Sequence, residues 1–366
     1  PFACTDGREI MSGAEEELSL SAEEQPLSAD EPRVPQEKRA LAEDLPVGGQ
    51  AVIEGVMMRV PGKIVTAVRA ADRRIVVREQ AYMPLTKRYR LLGIPILRGA
   101  VSFFEMMIIG FKALNFSADV AMQGEEEKEG NGEERTVTAP EESGWKNRLM
   151  LGATLVFSFA LGIGLFFFLP LLAAETLGVQ RDALRFNLIA GAVRASLLLL
   201  YMWGIGHWEE IRRVFQYHGA EHKSIFALEE GAGLNVAAAA ACSRLHPRCG
   251  TSFMLIVVLL AILVFAVVDS LFVVVFGHPQ SLLERFATHL CVLPLIGGTG
   301  FELLKLSGKM RNHPLTRVLI APGLWLQRIT TREPDEDQLE VALVALRHAL
   351  DEPPMEGEGA SPIVRV

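Results

Sequence analysis

The sequence predicts a mainly α-helical, polytopic membrane bundle of about four transmembrane helices, preceded by a small N-terminal β-hairpin and an interfacial helix. Three observations carry this. Half of the 366 residues are hydrophobic and the mean hydropathy is +0.26, whereas soluble domains sit lower because they need polar surface. Four apolar stretches come near the roughly 20 residues that a helix needs to cross a hydrocarbon core of about 30 Å. The charge is segregated: residues 1–46 hold 12 Asp and Glu against four Lys and Arg, which accounts for the net charge of −8 and leaves the remainder neutral.

Residues 1–46 have too little apolar surface to offset their ordering entropy and are expected to form a disordered acidic tail. They lack both the basic start and apolar core of a secretory signal and the Arg-rich, acid-poor character of a transit peptide. The first methionine is Met11, which leaves residues 1–10 as a candidate addition to the natural start. Four cysteines are too few for a disulfide framework in a chain this long, so reduced thiols are expected.

Residues 47–123 read as a cytoplasmic, interfacial region. The segment VGGQAVIEGVMMR (47–59) is punctuated by glycine, and the β-branched runs 63–68 and 74–79, separated by Ala70, Ala71 and Asp72, predict the hairpin. The apolar stretch that follows carries Arg98, Glu105, Lys112 and Asp119. Those charges disfavour a span and predict a helix in the interface, or packed on the spans from the cytoplasmic side. A second acidic segment, 124–144, sets eight glutamates against Lys128 and Arg135 and reads as a linker.

Residues 145–332 form the membrane domain, with candidate spans at 149–174, 186–208, 253–276 and 286–304. Orientation follows from basic residues in the flanks. Lys146 and Arg148 precede span one, Arg212, Arg213, Lys223, Arg244 and Arg248 lie between spans two and three, and Lys305, Lys309 and Arg311 follow span four. The opposite side offers only Arg181, Arg185 and Arg285. Both termini, the loop 209–252 and a C-terminal helix and tail (333–366) are therefore expected in the cytoplasm. Arg194 and Asp269 lie at matching depth, roughly 11 Å from the outer end at 1.5 Å per residue, and are expected to pair, because an isolated charge there is costly.

The loop 209–252 holds the residues suited to chemistry. In YHGAEHK, His218 and His222 are four apart, so a helix presents both on one face, within reach of one metal ion. Read as H-x-x-E-H, this is the inverted zinc-protease pattern, in which Glu221 serves as general base. In LHPRCGTSF, His246 and Cys249 add an imidazole and a thiol where span three begins, and His and Cys are the residues zinc prefers. The bland alternatives are interfacial histidines hydrogen-bonded to headgroups or backbone and an inert buried thiol beside a Pro-initiated turn. His207 shares a face with His218 if span two runs on into the cytoplasm, and otherwise anchors the interface beside Trp208. Glu302 and Glu54 are weaker candidates for the same site. No dinucleotide or P-loop fingerprint and no basic-aromatic patch occurs, so nucleic acid is not an expected partner.

These segments, together with GGQAVIEGVMMR, LRGAVSFFEMMIIGFKAL, FELLKLSGK and PGLWLQRITTREP, resemble the YqhQ-like family of bacterial membrane proteins over residues 47 to about 350. The family is of unknown function and is often labelled as metal-dependent enzymes. The resemblance implies a multi-pass protein of the bacterial inner membrane with a metal site at His218, Glu221, His222, His246 and Cys249. The expected function is metal-dependent hydrolysis, with zinc or another divalent transition metal, of a peptide or lipid-linked bond at the cytoplasmic interface. The alternative is a non-enzymatic membrane protein biogenesis or assembly factor whose metal site is structural. A transporter, resting on Arg194, Asp269 and His289, ranks below both. The bilayer is the expected partner, and the oligomeric state is open.

Overall fold

The computed structural model describes Cys4 and residues 47–128, 145–179, 182–247, 249–309, 314–353 and 361–366. Apart from Cys4, the acidic segment before residue 47 lies outside these residues, as do 129–144 and Arg248. In chain order the principal elements are β1 (Gly48–Val52), β2 (Gly55–Val60), β3 (Gly62–Arg69), β4 (Ile75–Tyr82), α1 (Leu97–Lys128), α2 (Trp145–Ile163), α3 (Ala183–Ile205), α4 (Glu209–Glu230), α5 (Gly250–Phe276), α6 (Leu282–Lys309), α7 (Pro314–Thr330), α8 (Glu336–Ala349) and β5 (Ile363–Arg365). Helix α2 continues through a π turn, Gly164–Phe168, into Leu169–Thr176.

The predicted hairpin is β3 and β4, but the sheet has five strands in the order β1-β2-β3-β4-β5, antiparallel except for the parallel β4–β5 pair. GGQAVIEGVMMR forms β1 and β2. Its apolar residues run together rather than alternate because both faces of the sheet are covered. Val56, Met58, Val65 and Val77 pack with Leu339, Leu343 and Leu346 of α8 and Tyr217 of α4. On the other face Val52, Met57, Ile64 and Val68 meet Ala113 and Val120 of α1. Strand β5 comes from the tail beyond α8 and is too short to show a period in sequence. The sheet thus joins residues from before the first apolar helix to residues from after the last, and α4 packs on the same layer.

Four helices are long and apolar enough to cross a membrane: Gly152–Thr176, Ala183–Ile205, Phe253–Phe276 and Leu282–Leu303. They match the four predicted stretches to within a few residues. Phe167, Ala261, Phe265 and Ile296 fill the space between α2, α5 and α6. Helix α1 starts against α6, where Arg98 and Glu302 form two hydrogen bonds of 2.6 and 2.5 Å, and then runs under the sheet. Its outer side exposes Phe104, Met107, Ile108 and Phe111.

Arg194 and Asp269 do not pair, contrary to expectation. Asp269 is taken by Arg285 (3.2 Å), His289 (2.8 Å) and Asn187 (2.7 Å). Arg194 instead donates from Nε to the Phe166 carbonyl at 3.1 Å, and its guanidinium lies over the Phe167 and Phe265 rings. Equal depth does not impose equal azimuth, and α6 delivers two partners to the face of α5 that carries Asp269. The thiols also differ from expectation: Cys4 and Cys242 form a disulfide, while Cys249 and Cys291 are free. Cysteine number alone cannot report that the buried Cys242 is met by a residue 238 positions away.

Glu79 ties β4 to its surroundings through Lys63 on β3 and His348 on α8, each at 2.8 Å. Hydrogen bonds from Lys63 and His348 push the Glu79 carboxyl down to about 2. A depressed carboxyl stabilises the fold above its unfolded pKa, and this contribution fades as pH falls through the folded value. Glu79→Gln is therefore expected to cost about 1 kcal/mol at neutral pH, the side chain being partly solvated. Thermal unfolding across a pH series should show the gap between variant and parent closing from pH 5 toward pH 2. A gap independent of pH would contradict the assignment.

Candidate metal centre

Helix α3 ends at Ile205 and α4 begins at Glu209, so the second apolar helix does not run on through His207. His207 bonds through Nδ1 to the Trp203 carbonyl at 2.7 Å, away from the other histidines. On α4, His218 and His222 lie one turn apart with ring centroids separated by 4.4 Å. Cys249 caps the N-terminus of α5, where its sulfur accepts from the Thr251 N–H at 3.4 Å and lies 3.1 Å from the Thr251 hydroxyl. The cap turns the thiol back onto α4, and His218 Nε2 is 3.1 Å from Cys249 Sγ. One ligand atom from each of His218, His222 and Cys249 lies within 4.8 Å of the other two.

The outer nitrogens set the ring orientation. His218 Nδ1 lies 2.9 Å from the Thr330 carbonyl, and His222 Nδ1 lies 2.6 Å from the Arg244 carbonyl. A carbonyl only accepts, so each Nδ1 carries the proton and each Nε2 of the neutral ring keeps its lone pair. His222 Nε2 is buried without a hydrogen-bond partner. Gly219, between the histidines, permits this arrangement: a Cβ there would stand 2.1 Å from the Arg332 carbonyl, so only glycine lets the segment after α7 lie against α4. Gly49 acts similarly, since a Cβ there would fall 2.8 Å from the Glu221 side chain, over which β1 passes.

His246 stands behind the cluster rather than in it. Its Nε2 is 3.4 Å from Glu229 Oε1, and its ring centroid lies 4.4 Å from that of Phe226 and 5.7 Å from that of His222. Gln327 of α7 holds its backbone, accepting from the His246 N–H and donating to its carbonyl, both at 2.8 Å.

Residues 94–352 match the family described as "Protein of unknown function (DUF1385)". The chain belongs to this family. It is 34% identical over 308 residues to "Uncharacterized protein YqhQ" of Bacillus subtilis (strain 168), which covers 83% of this chain and 92% of that one. No solved structure matches. All three clustered residues of this DUF1385 protein, and the carbonyls behind them, fall within the family match, whereas β1–β4 precede it.

Burial dominates the electrostatics. It raises the Glu221 carboxyl to about 8; the Cys249 thiol adds to this, and the His218 ring and the Gly49 N–H oppose it. Glu221 Oε2 is buried without a hydrogen-bond partner. Burial also lowers His222, against the pull of Cys249. For Cys249 burial pushes the thiol up, but the His222 ring and Thr251 outweigh it and leave the thiol below its ordinary value. Such a thiol, at a helix N-terminus beside imidazole, gains thiolate character and thereby metal-ligating power.

Two weaker sequence candidates lie elsewhere. Glu302 is bound to Arg98, and Glu54 makes two hydrogen bonds of 2.5 Å to Arg213. Conversely, Gln327, Thr330, Arg244 and Thr251 of this DUF1385 chain support the centre, and sequence reasoning gave them no role. Gln327 and Thr330 lie in PGLWLQRITTREP, but a carbonyl acceptor has no side-chain signature.

Proposed function

We propose that this DUF1385 protein is a multi-span protein of the bacterial cytoplasmic membrane whose His218, His222 and Cys249 hold a divalent transition metal, zinc foremost, for hydrolysis of a peptide or lipid-linked bond. The observation that carries the reading is the paired orientation of the two imidazoles, each with Nδ1 pinned to a carbonyl and Nε2 left to the cluster. His222 Nε2 is buried beside the Cys249 thiol, where its lone pair is available to a metal ion. Two nitrogens and a sulfur suit zinc, and three protein ligands leave a coordination position open, as in catalytic sites. Such an ion supplies Lewis acidity, activating water and polarising a scissile bond.

Glu221 is the proton-carrying residue. Burial raises its carboxyl toward the working pH, where general acid–base groups are most effective. His246, Gln327 and the Thr330 carbonyl fix the ring positions without contributing ligand atoms. Strands from either end of the described chain pair in one sheet, which supports an even number of spans with both termini on one side. Basic residues assign that side to the cytoplasm. The Cys4–Cys242 bond pulls the other way, because disulfides are rare in a reducing cytosol; the charge asymmetry, which acts during insertion, is the stronger guide.

A second reading, a structural metal site in an assembly factor, draws on burial. His222 is 1% and Cys249 7% exposed, and the cluster links α4, the start of α5 and the end of α7. Glu221→Gln separates the two. The catalytic reading expects it to keep one metal ion per chain by elemental analysis while hydrolysis falls about 10²–10⁴-fold and complementation of a deletion strain fails. Full complementation by the metal-loaded variant would favour the structural site.

A further inference from the structure

A cavity of about 450 Å³ lies between α2, α3, α5 and α6, apart from the His/Cys cluster. Phe159, Gly162, Phe166, Val258 and Leu293 line it with apolar surface, and Arg194 is its charged member. Arg194 lies near the middle of α3 and is 8% exposed. Its Nη2 is buried without a hydrogen-bond partner, and no carboxylate pairs with it among the described residues. The one nearby acid considered from sequence, Asp269, is fully engaged by Arg285, His289 and Asn187.

The wall of the cavity is irregular at the same level. Arg194 Nε donates to the carbonyl of Phe166, inside the π turn Gly164–Phe168, and π turns recur at functional sites. A cation at the centre of a span is costly, and such residues generally face a partner or a cavity. Here the geometry supplies the cavity and leaves the counter-ion position to a ligand. The volume falls in the range of about 300–1,000 Å³ typical of small-ligand sites.

We propose that this cavity binds a long-chain fatty acid, with its carboxylate accepting from Arg194 and its chain lying against the apolar wall. A single-chain carboxylic acid crosses the hydrocarbon core in its protonated form and brings an anion to mid-depth, where the phosphate of a phospholipid does not go. The proposal rests on the four helices being membrane spans, as read above, and is independent of the metal centre.

The test uses the full chain in phosphatidylcholine nanodiscs with a diazirine-bearing palmitate probe and mass-spectrometric mapping of the label. Labelling is expected at 158–167 and 257–261, saturable, competed by palmitate and not by hexadecanol. Arg194→Gln should reduce it at least tenfold. Gly162→Leu should do the same by filling the cavity, since a Cβ at Gly162 meets nothing within 4 Å and the variant has room to fold. Equal labelling in parent and both variants, or equal competition by hexadecanol, would overturn the proposal. Competition by phosphatidylglycerol but not palmitate would assign the cavity to a phospholipid and overturn it as well. A chain that fails to enter nanodiscs overturns the membrane reading and this proposal together, whereas one that enters and labels indifferently overturns this proposal alone.

Discussion

His222→Ala and Cys249→Ala are each expected to reduce bound zinc from one ion per chain to background, while His246→Ala retains it. The contrast follows from placement. His218, His222 and Cys249 bring their ligand atoms within 4.8 Å of one another, whereas His246 turns its Nε2 toward Glu229. Removing one of three protein ligands leaves two, too few to compete with water and buffer for the ion. Losing a residue behind the ligands typically weakens metal affinity about 10–100-fold, which still permits full loading at micromolar protein and metal. Elemental analysis of the purified variants, with circular dichroism to confirm helix content, makes the comparison. Zinc retained in the Cys249 variant and lost in the His246 variant would move the centre to His222 and His246.

Asp269→Ala is expected to lower the stability of the helical bundle by about 3–5 kcal/mol, the usual cost of removing one partner from a buried charge pair. Asp269 is 1% exposed, bonds to His289 and Asn187 and forms an ion pair with Arg285, so its loss takes a carboxylate away from a buried guanidinium. Arg285 is held over the Phe186 ring, 3.7 Å from its centroid, and cannot swing to water without uncovering that ring. Arg194→Gln is expected to cost much less, because Arg194 has no carboxylate to strand. Thermal unfolding in one detergent compares the two. Equal losses would contradict the assignment of Asp269 to Arg285 and His289 rather than to Arg194.

The four apolar helices were legible because each is a long unbroken apolar run, and a run needs no tertiary context to be seen. The sheet was half legible. Strands β3 and β4 carry β-branched runs around a turn, but β1 and β2 are buried on both faces and lose the alternation that marks a strand, and β5 is only three residues long. At the candidate centre, the four-residue spacing of His218 and His222 reports a shared helix face directly. Cys249 was found because it opens the next helix. What singled it out over His246 is the N-cap geometry that turns its sulfur onto α4, and three positions of sequence separation do not encode that. The Thr330 and Arg244 carbonyls act through backbone, which is the same in every residue. Arg194 and Asp269 misled because depth is one coordinate of a helix and rotation is the other.

X-ray absorption at the zinc edge, on the full-length protein purified with its native metal, tests the central claim most directly. The account predicts about one zinc per chain, with a first shell of one sulfur and two imidazole nitrogens plus a light oxygen or nitrogen scatterer. A protein without stoichiometric metal, or a shell without sulfur, would contradict it.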